Sequence, residues 1–471
     1  MKKKKPNILY IFADQWRRQA MGFMKEDEVI TPNMDKFAKE SMVFDNAISC
    51  CPLCSPQRST LMTGKYPINT GVFTNCKRGL DIRLKDEEIC IGDVLKQEDY
   101  HTGYIGKWHL DEPELNHCKN PLSGADGWDA FTPPGERRHG FDFWYSYGAK
   151  DKHLSPHYWK NDCNKIHINK WSPEHETDIA IEYIKEKYDS EDPFALFISW
   201  NPPHSPYDAV PDKYKDIYKD KKINFRKNVI TDNIICHTYE QWGSGLEKIE
   251  EATKDYYAAI TGLDENFGRL LEVLNELKIA DDTIIVLTAD HGDLMGSHGM
   301  IAKHVWYEES IGVPFILRWN NHIPKGRESR IINSVDIMPT LLGLINIPIP
   351  NTVEGVDISP NIIGTGNVEV PSALIHAYPG RDVFLEAYRE KGLNPLSKGW
   401  RGLRTQKYTY VVYKGYWPDD EIDVRYLYDL EKDPYQLSPI EIKDINNNEL
   451  ALKFEKELKK RLDALGDPFE F

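Results

Sequence analysis

A cysteine followed by a proline and an arginine is the most distinctive chemical feature of the chain. The segment covers residues 51–58 and reads CPLCSPQR, so Cys54, Pro56 and Arg58 form a Cys-x-Pro-x-Arg pattern at what reads as the start of a helix. One interpretation is an inert buried thiol, since free cysteine often behaves as a small hydrophobic residue. A second is thiol-redox chemistry by Cys51 and Cys54, which form a Cys-x-x-Cys pair. A third is catalytic, and it draws on both sides of Cys54 and on five further segments.

Two of these segments are residue pairs that begin with an aspartate and follow apolar runs. Asp14-Gln15 follows residues 7–13, and Asp290-His291 follows residues 283–289. Carboxylate and amide oxygens suit a hard divalent cation. A single aspartate after a strand is more often a turn or cap residue. Two such pairs together with the Cys54 segment instead predict one ion held between two strand ends.

The other segments supply lysines and histidines. Lys107 and His109 are two residues apart in a stretch predicted to be extended, which would place both on one face. His204 lies among prolines just beyond the apolar run 194–200, and Lys303 lies in the polar segment 299–310. Each residue alone would usually be a surface residue, but their combination predicts a functional site.

The elements that must position these residues alternate between strands and helices. Continuous apolar runs rich in β-formers are typical of strands buried on both faces. Strands are predicted at 7–13, 42–44, 102–107, 194–200, 283–289 and 313–318, and helices at 174–188 and 248–277 and from residues 31, 91 and 334 onward. This alternation predicts an α/β fold with a mostly parallel sheet flanked by helices. Ligands bind at the carboxyl ends of such strands.

Two regions depart from this pattern. Residues 111–171 are irregular and aromatic, and they are predicted to form walls of a substrate pocket or, equally, a covering layer on the core. Beyond residue 370, short strands are predicted at 372–376, 402–406, 408–413 and 426–429, followed by a helix at 448–465. The 471 residues exceed the usual size of one core. We therefore expect a catalytic domain at 1–370 and a small antiparallel α+β domain at 371–471.

Charge and composition exclude some partners. The formal charge of −15 argues against nucleic-acid binding, although a local basic pocket for a small anion remains compatible with it. Lysines 2–5 could belong to a signal-peptide n-region, but the apolar run after them stops at Asp14 and is too short for an h-region. No apolar run is long enough to span a membrane. The expectation is a cytoplasmic protein, unless a leader was trimmed, with eight reduced cysteines.

The segment around Cys54 resembles the nucleophile segment of the sulfatase family, and the resemblance extends from Asn7 to residues 427–430. It implies an alkaline-phosphatase-like fold with a small C-terminal domain. It also implies that a maturation enzyme oxidises Cys54 to Cα-formylglycine. The hydrated aldehyde, a gem-diol, would then be the nucleophile.

The resemblance also implies roles for the other site residues. The metal ligands would be side chain 54 together with Asp14, Gln15, Asp290 and His291. Arg58 would hold the hydrate, while Lys107 and Lys303 would bind sulfate oxygens and stabilise the charge that develops on them. His204 would protonate the leaving alcohol, and His109 would deprotonate the second hydroxyl so that sulfate is expelled and the aldehyde restored.

Two positions depart from the common family pattern. Gln15 stands where many sulfatases have a second aspartate, and His291 stands where they have asparagine. The expected ion is Ca²⁺, with Mn²⁺ or Zn²⁺ as alternatives because His291 offers nitrogen. The same residue set also resembles phosphonate and phosphate ester hydrolases of the superfamily.

The expected activity is hydrolysis of a sulfate monoester on a sugar. The overall similarity favours exo-sulfatases of glycosaminoglycans or mucins that act on a sulfated N-acetylhexosamine at O6. Two alternatives remain: a phosphonate or phosphate ester hydrolase, and a non-catalytic or thiol-redox protein that uses Cys51 and Cys54.

Overall fold

The structure, a computed structural model, describes residues 5–236 and 241–471. Lysines 2–4, which the sequence analysis weighed as part of a signal peptide, lie outside the described residues. The strands are β1 (Asn7–Ala13), β2 (Met42–Ile48), β3 (His101–Lys107), β4 (Phe143–Tyr147), β5 (His157–Tyr158), β6 (Ile166–His167), β7 (Phe194–Trp200), β8 (Ile234–Cys236), β9 (Gln241–Gly243), β10 (Thr283–Ala289), β11 (Met300–Ile301), β12 (Phe315–Arg318), β13 (Gly326–Asn333), β14 (Ala373–Ala377), β15 (Trp400–Arg404), β16 (Tyr408–Tyr413), β17 (Val424–Asp429) and β18 (Ile440–Glu441).

The helices alternate with these strands along most of the chain. They are α1 (Pro32–Lys39), α2 (Cys54–Thr63), α3 (Pro67–Thr70), α4 (Ile91–Gln97), α5 (Ser172–Lys187), α6 (Asp212–Lys215), α7 (Leu246–Glu276), α8 (Glu308–Ile311), α9 (Ser334–Leu344), α10 (Ser359–Ile362), α11 (Asp382–Lys391) and α12 (Glu449–Leu465). Short 3₁₀ turns occur at Gly22–Met24, Glu114–Asn116, Glu136–Arg138, Pro395–Ser397 and Ile445–Asn447.

An eight-stranded sheet organises the first part of the chain, with the strand order β13-β2-β12-β10-β1-β7-β3-β4. Most neighbours are parallel, but β12 runs antiparallel to both β10 and β2. The central strands β7 and β10 are buried along their whole length, as their apolar sequences predict. Helix α7 packs against α1 and α5, α5 packs against β3 and β7, and α9 packs against α2 and β13.

The register of the three central strands aligns their carboxyl ends. Ala13 of β1 pairs with Ala289 of β10 on one side and with Trp200 of β7 on the other. The residues that follow these positions, Asp14, Asp290 and Asn201, therefore leave the sheet at the same edge. This edge is where ligands bind in open parallel sheets.

A separate five-stranded antiparallel sheet, β14-β15-β16-β17-β18, lies near the C-terminus. Helix α12 covers one side of it through Phe454 and Leu458, which belong to the same apolar cluster as Leu403. A second apolar cluster joins Trp400 of this sheet to Trp306 and thereby to the first part of the chain. The predicted fold class is confirmed, whereas the domain boundary at 370/371 stays a prediction.

Three strands differ from the sequence prediction. The region 111–171, predicted to be irregular, contributes β4 to the main sheet beside β3. This strand was missed because its aromatic residues lack the alternation of apolar and polar residues that marks a strand. The edge strand β13 was missed because its first five residues, GRESR, are polar. The strand predicted at 402–406 begins two residues earlier.

Among the helices of the described residues, none has the length and apolar character needed to cross a membrane.

Candidate active site

Cys54 is the first residue of α2, a helix whose ten residues are all buried. Its Sγ lies 3.5 Å from Oδ1 of Asp14 and 3.4 Å from Nε2 of His291. The ends of β1 and β10 therefore meet the start of α2 at this side chain. A helix N-terminus also favours negative charge, which suits a reaction that develops it.

Four of the predicted metal ligands form one buried cluster. Asp14, Cys54, Asp290 and His291 each offer one ligand atom, and these atoms lie within 4.8 Å of one another. Oδ1 of Asp290 accepts hydrogen bonds from the backbone N–H groups of Gln15 and His291. Oδ2 of Asp290 is buried and has no hydrogen-bond partner within the part of the chain that the structure describes. Two carboxylates and an imidazole, with one carboxylate oxygen that accepts no hydrogen bond from the described residues, fit a divalent cation.

The two carboxylates of this cluster differ in pKa. Burial favours the neutral form of both, but the charges of Lys107 and Arg58 outweigh it at Asp14 and hold the pKa of Asp14 well below its ordinary value. At Asp290, burial and the neighbouring Asp14 raise the pKa to about 7. A cation between them would stabilise both as carboxylates.

Arg58 is fixed against the ends of four strands, β1, β3, β7 and β10. Its Nη2 donates to Oδ2 of Asp14 at 3.0 Å, and its Nε lies 3.3 Å from Oδ2 of Asp290. Its Nη1 donates to the carbonyl of Lys107 at 2.7 Å and to the hydroxyl of Ser199 at 2.8 Å. The guanidinium is therefore a rigid, buried positive charge one helical turn from Cys54.

Lys107 lies at the end of β3 and points into the same cluster. Its Nζ lies 2.8 Å from Oδ2 of Asp14 and donates to Oδ1 of Asn201 at 3.1 Å. The preceding residue, Gly106, allows β3 to approach β7 closely, since a Cβ there would lie 2.1 Å from the carbonyl oxygen of Ser199. Burial opposes the charge of Lys107, yet Asp14 raises its pKa above the ordinary value, so the ammonium stays charged.

Gln15 is oriented by an acid that the sequence analysis missed. The amide Nε2 of Gln15 donates to Oδ2 of Asp293 at 2.6 Å and to the hydroxyl of Tyr207 at 3.1 Å. Because Nε2 of Gln15 faces Asp293, the amide oxygen Oε1 faces Lys303 and accepts a hydrogen bond from its Nζ. Asp293 also accepts from the backbone N–H of Ala302 at 3.0 Å and so ties the Lys303 segment to the site.

His204 lies beside a second missed residue, Asp151. Its Nδ1 donates to the carbonyl of Ser205 at 2.7 Å and lies 3.6 Å from Oδ1 of Asp151. Asn201 connects this pair to the cluster, because its Nδ2 donates to Asp151 at 2.9 Å while its Oδ1 accepts from Lys107. Burial and the charge of Lys303 lower the pKa of His204 to about 3 although Asp151 opposes them. A bound anion near these lysines would favour the protonated ring.

The stretch that holds Lys107 and His109 was predicted to be extended, and at His109 that prediction was wrong. The strand ends at Lys107, and His109 has a φ of 54°, in the left-handed region, so the backbone leaves the extended conformation there. Its Nε2 lies 3.2 Å from the carbonyl of Cys76, to which it can donate. Its buried Nδ1 has no partner among the described side chains and backbone groups. Burial and the charge of Lys107 lower the pKa of His109, so this nitrogen carries a lone pair.

The structure thus brings most of the predicted residues into contact. Arg58 and Lys107 contact Asp14, Gln15 contacts Asp290 and Lys303, and His204 is connected through Asp151 and Asn201. His109 borders the start of α2, where the hydroxyl of Ser55 donates to its carbonyl at 2.6 Å.

The catalytic and ligand roles of these residues stay predictions. Asp151 and Asp293 carry no sequence signal, because a lone aspartate in a loop usually caps a turn.

Comparison with known proteins yields consistent matches over the whole chain. The family model described as sulfatase matches residues 6–347, and the model for the C-terminal part of N-sulphoglucosamine sulphohydrolase matches residues 296–467. An endo-4-O-sulfatase from Bacteroides thetaiotaomicron is 34% identical over 98% of this chain and 93% of its own length. An ulvan-active sulfatase from Formosa agariphila is 33% identical over 99% of this chain and 83% of its own length.

A solved structure shows the same similarity in three dimensions. It comes from work on the metabolism of multiple glycosaminoglycans by Bacteroides thetaiotaomicron. It superposes with a TM-score of 0.85 at 34% identity, covering 99% of this chain and 97% of that one.

Proposed function

Since the chain belongs to the sulfatase family and is a sulfuric ester hydrolase with an alkaline-phosphatase-like fold, we propose that it hydrolyses a sulfate monoester of a carbohydrate. The observation that carries the proposal is the convergence of Asp14, Asp290 and His291 on Cys54. This arrangement places a charged, buried cluster around one side chain at the open edge of the sheet. Lys107 and Lys303 add positive charge beside it, which suits an anionic ester.

The proposed substrate is a sulfated N-acetylhexosamine in a glycosaminoglycan or mucin chain. The names of the two relatives support a polysaccharide substrate, and the endo-4-O-sulfatase favours a sulfate at O4 within the chain. The O6 position and exo-action, which the sequence analysis favoured, are the competing assignment.

The proposed active form differs from the unmodified chain in two respects, a converted side chain at position 54 and a bound divalent ion. A maturation enzyme converts Cys54 to Cα-formylglycine, whose hydrate supplies a hydroxyl nucleophile. Asp14, Gln15, Asp290, His291 and side chain 54 hold a divalent ion, with Ca²⁺ the foremost candidate and Mn²⁺ or Zn²⁺ the alternatives. When bound, the ion supplies positive charge next to the reacting oxygen atoms.

The chain's own residues then have distinct tasks. Lys107 and Lys303 bind the sulfate oxygens and stabilise the charge that develops on them. Arg58, which is fixed by four contacts, holds side chain 54 in place. His204 donates a proton to the leaving alcohol, and Nδ1 of His109 accepts the proton that side chain 54 gives up. The net reaction consumes one water molecule and yields the free alcohol, sulfate and a proton.

The test is sulfate release from defined saccharides by protein that was produced together with a formylglycine-generating enzyme. We expect release from a 4-sulfated N-acetylhexosamine oligosaccharide, with slower release from the 6-sulfated isomer. Faster release from the 6-sulfated isomer would assign the hydrolysed sulfate to position O6. Turnover of phosphonate or phosphate esters without any sulfate release would assign the chain to the phosphonate or phosphate ester hydrolases.

A further inference from the structure

We propose that the cleft beside Cys54 binds a second negatively charged group of the sulfated carbohydrate, a carboxylate or another sulfate, through Lys77 and Arg381. This inference rests on the proposed function and specifies its substrate as a multiply charged saccharide. The site combines two cationic side chains with aromatic faces, and both parts of the chain contribute to it.

The cleft opens directly next to the nucleophile position. Its cavity volume is about 70 Å³, and it is lined by Leu53, Thr74, Asn75, Lys77, Trp128, His304, Gly380, Arg381, Phe384 and Tyr416. Leu53 immediately precedes Cys54, and Oδ1 of Asn75 accepts a hydrogen bond from the backbone N–H of Ser55 at 3.1 Å. A charged group bound in this cleft would therefore lie beside the start of α2, where Cys54 is the first residue.

The charge of the lining is opposite to that of the protein. The chain carries a formal charge of −15, yet the Asp, Glu, Lys and Arg residues that line the cleft in the described structure are the cations Lys77 and Arg381. A local reversal of sign concentrates anions whatever the net charge. A neutral sugar would not require it.

Lys77 is held in place for such a contact. Its side chain is only 8% exposed, and its Nζ donates to the carbonyl of Gly380 at 2.7 Å. It also pairs at 2.7 Å with Oδ1 of Asp382, whose side chain is 73% exposed. An ion pair with a partner so exposed to water contributes little. An anion on the substrate can therefore take the place of Asp382 beside Lys77 at small cost.

The aromatic residues supply the apolar part of a sugar site. Trp128 is 45% exposed, and Nζ of Lys77 lies 5.8 Å from the centre of its ring. Phe384 and Tyr416 stack with ring centres 5.8 Å apart, and the guanidinium carbon of Arg381 lies 5.6 Å from the Phe384 ring. Ligand sites typically combine aromatic walls with a few placed polar groups. Here those polar groups are positively charged.

The experiment compares saccharides that share one 4-sulfated N-acetylhexosamine. The first has a uronate neighbour, the second has that uronate reduced to a neutral sugar, and the third has the neutral neighbour plus a second sulfate. For the wild type we expect kcat/KM to be about tenfold higher for a charged saccharide than for the neutral one, equivalent to about 1.4 kcal/mol. The uronate and disulfated arms show which anion the cleft prefers.

Three variants decide whether the cleft is responsible. Lys77→Gln and Arg381→Gln should each lower the charged-to-neutral ratio of kcat/KM. Asp382→Asn should raise that ratio, because it removes the carboxylate that competes for Lys77. The neighbouring exposed residue Arg78 provides the matched control, and Arg78→Gln should keep the wild-type ratio.

Failure of this inference can be told apart from failure of the proposed function. A wild-type enzyme that releases sulfate equally from all three saccharides, or a Lys77→Gln variant with an unchanged ratio, would overturn the inference alone. If no saccharide is hydrolysed, binding of an unsulfated uronate disaccharide to the unmatured protein still decides it by calorimetry. Equal affinity for wild type and Lys77→Gln would then refute the charged subsite.

Discussion

Sγ of Cys54 lies 3.5 Å from the carboxylate of Asp14, inside a buried cluster. Burial and the charge of Asp14 raise the pKa of the Cys54 thiol to about 12. Because the thiolate is the reactive form of cysteine, an unconverted Cys54 is a poor nucleophile and a poor redox group. The surroundings of Cys54 therefore suit a modified side chain better than a working thiol.

The first prediction concerns the unmatured protein. Cys54 should react with iodoacetamide at pH 7 at least tenfold more slowly than the exposed Cys118, because it is 2% exposed and stays protonated. Peptide mass spectrometry of timed samples measures both rates. Rapid alkylation of Cys54, or a disulfide between Cys51 and Cys54 in the native protein, would favour the thiol-redox alternative.

The second prediction separates the two cysteines of the CPLC segment. Cys54→Ala should lower sulfate release by about a thousandfold or more, as expected for loss of a nucleophile. Cys51→Ala should retain most of the activity, since Cys51 is not part of the four-residue cluster. Equal losses in both variants would contradict a single nucleophile at position 54.

The third prediction tests Asp151 as a residue that positions His204 and supports its charge. The carboxylate of Asp151 raises the pKa of His204, so Asp151→Asn should lower it and shift the high-pH decline of kcat to lower pH. The loss of kcat should be about tenfold for a sugar sulfate, whose alcohol needs a proton to leave. It should be smaller for an aryl sulfate, whose phenolate leaves more readily.

The leaving-group comparison makes this test specific. A defect that merely disturbs folding would lower kcat to the same extent for sugar and aryl sulfates, with no change in the pH profile. That outcome would show that Asp151 does not support His204 as the proton donor.

The fourth prediction concerns Asp293 and the orientation of Gln15. Asp293→Asn places an amide where Gln15 Nε2 now finds a carboxylate acceptor, which favours rotation of the Gln15 amide away from its present orientation. We expect the affinity of the unmatured protein for Ca²⁺ or Mn²⁺ to fall by about tenfold or more, as for other residues that orient metal ligands. Calorimetric titration measures this affinity.

A suitable control is another buried aspartate whose hydrogen-bond partners are not residues of the cluster. Asp264 is 2% exposed and accepts hydrogen bonds from Asn33 and Met34. Asp264→Asn should leave the metal affinity unchanged. If Asp293→Asn binds metal as tightly as the wild type, the orientation of Gln15 does not matter for the ion.

The fifth prediction concerns stability and pH. Glu308 forms a two-pronged ion pair with Arg404 of β15, with both N–O distances 3.0 Å. Burial opposes its charge, but Arg404 and Arg18 outweigh burial and lower its pKa from 4.5 to about 2. A lowered folded-state pKa contributes stability above the unfolded-state value, and this contribution is lost as the pH falls from 4.5 toward 2.

The size of this contribution is about 3 kcal/mol at neutral pH, because one pKa unit corresponds to about 1.4 kcal/mol. Glu308→Gln should therefore destabilise the protein at pH 7, and the difference from the wild type should shrink at pH 3. Urea denaturation at both pH values measures it. A difference that stays constant with pH would show that the pair does not carry charge-dependent stability.

Much of the fold follows from the sequence because the central strands are apolar along their whole length. Residues 7–13, 194–200 and 283–289 are strands at the predicted bounds, and their shared edge brings Asp14 and Asp290 together. Strand β13 could not be found in the same way. It lies at the sheet edge with exposed polar residues, so it lacks the apolar pattern that marks a core strand.

The site was predictable where a residue follows a core strand or belongs to a dense motif, as for Cys54 and Arg58. Asp151 and Asp293 were not, because their importance arises from hydrogen bonds to residues far away in sequence, Asn201 and Gln15. The position of His109 also depends on a left-handed turn after β3, which no local pattern of hydrophobicity indicates.

The most direct test of the central claim compares two forms of the same chain, with and without the maturation enzyme, on one 4-sulfated saccharide. Conversion of Cys54 lowers the intact mass by about 18 Da, so each form can be verified before the assay. We predict sulfate release by the converted form with bound divalent ion and none by the form of full cysteine mass. Equal sulfate release by both forms would contradict the claim that a converted side chain 54 performs the reaction.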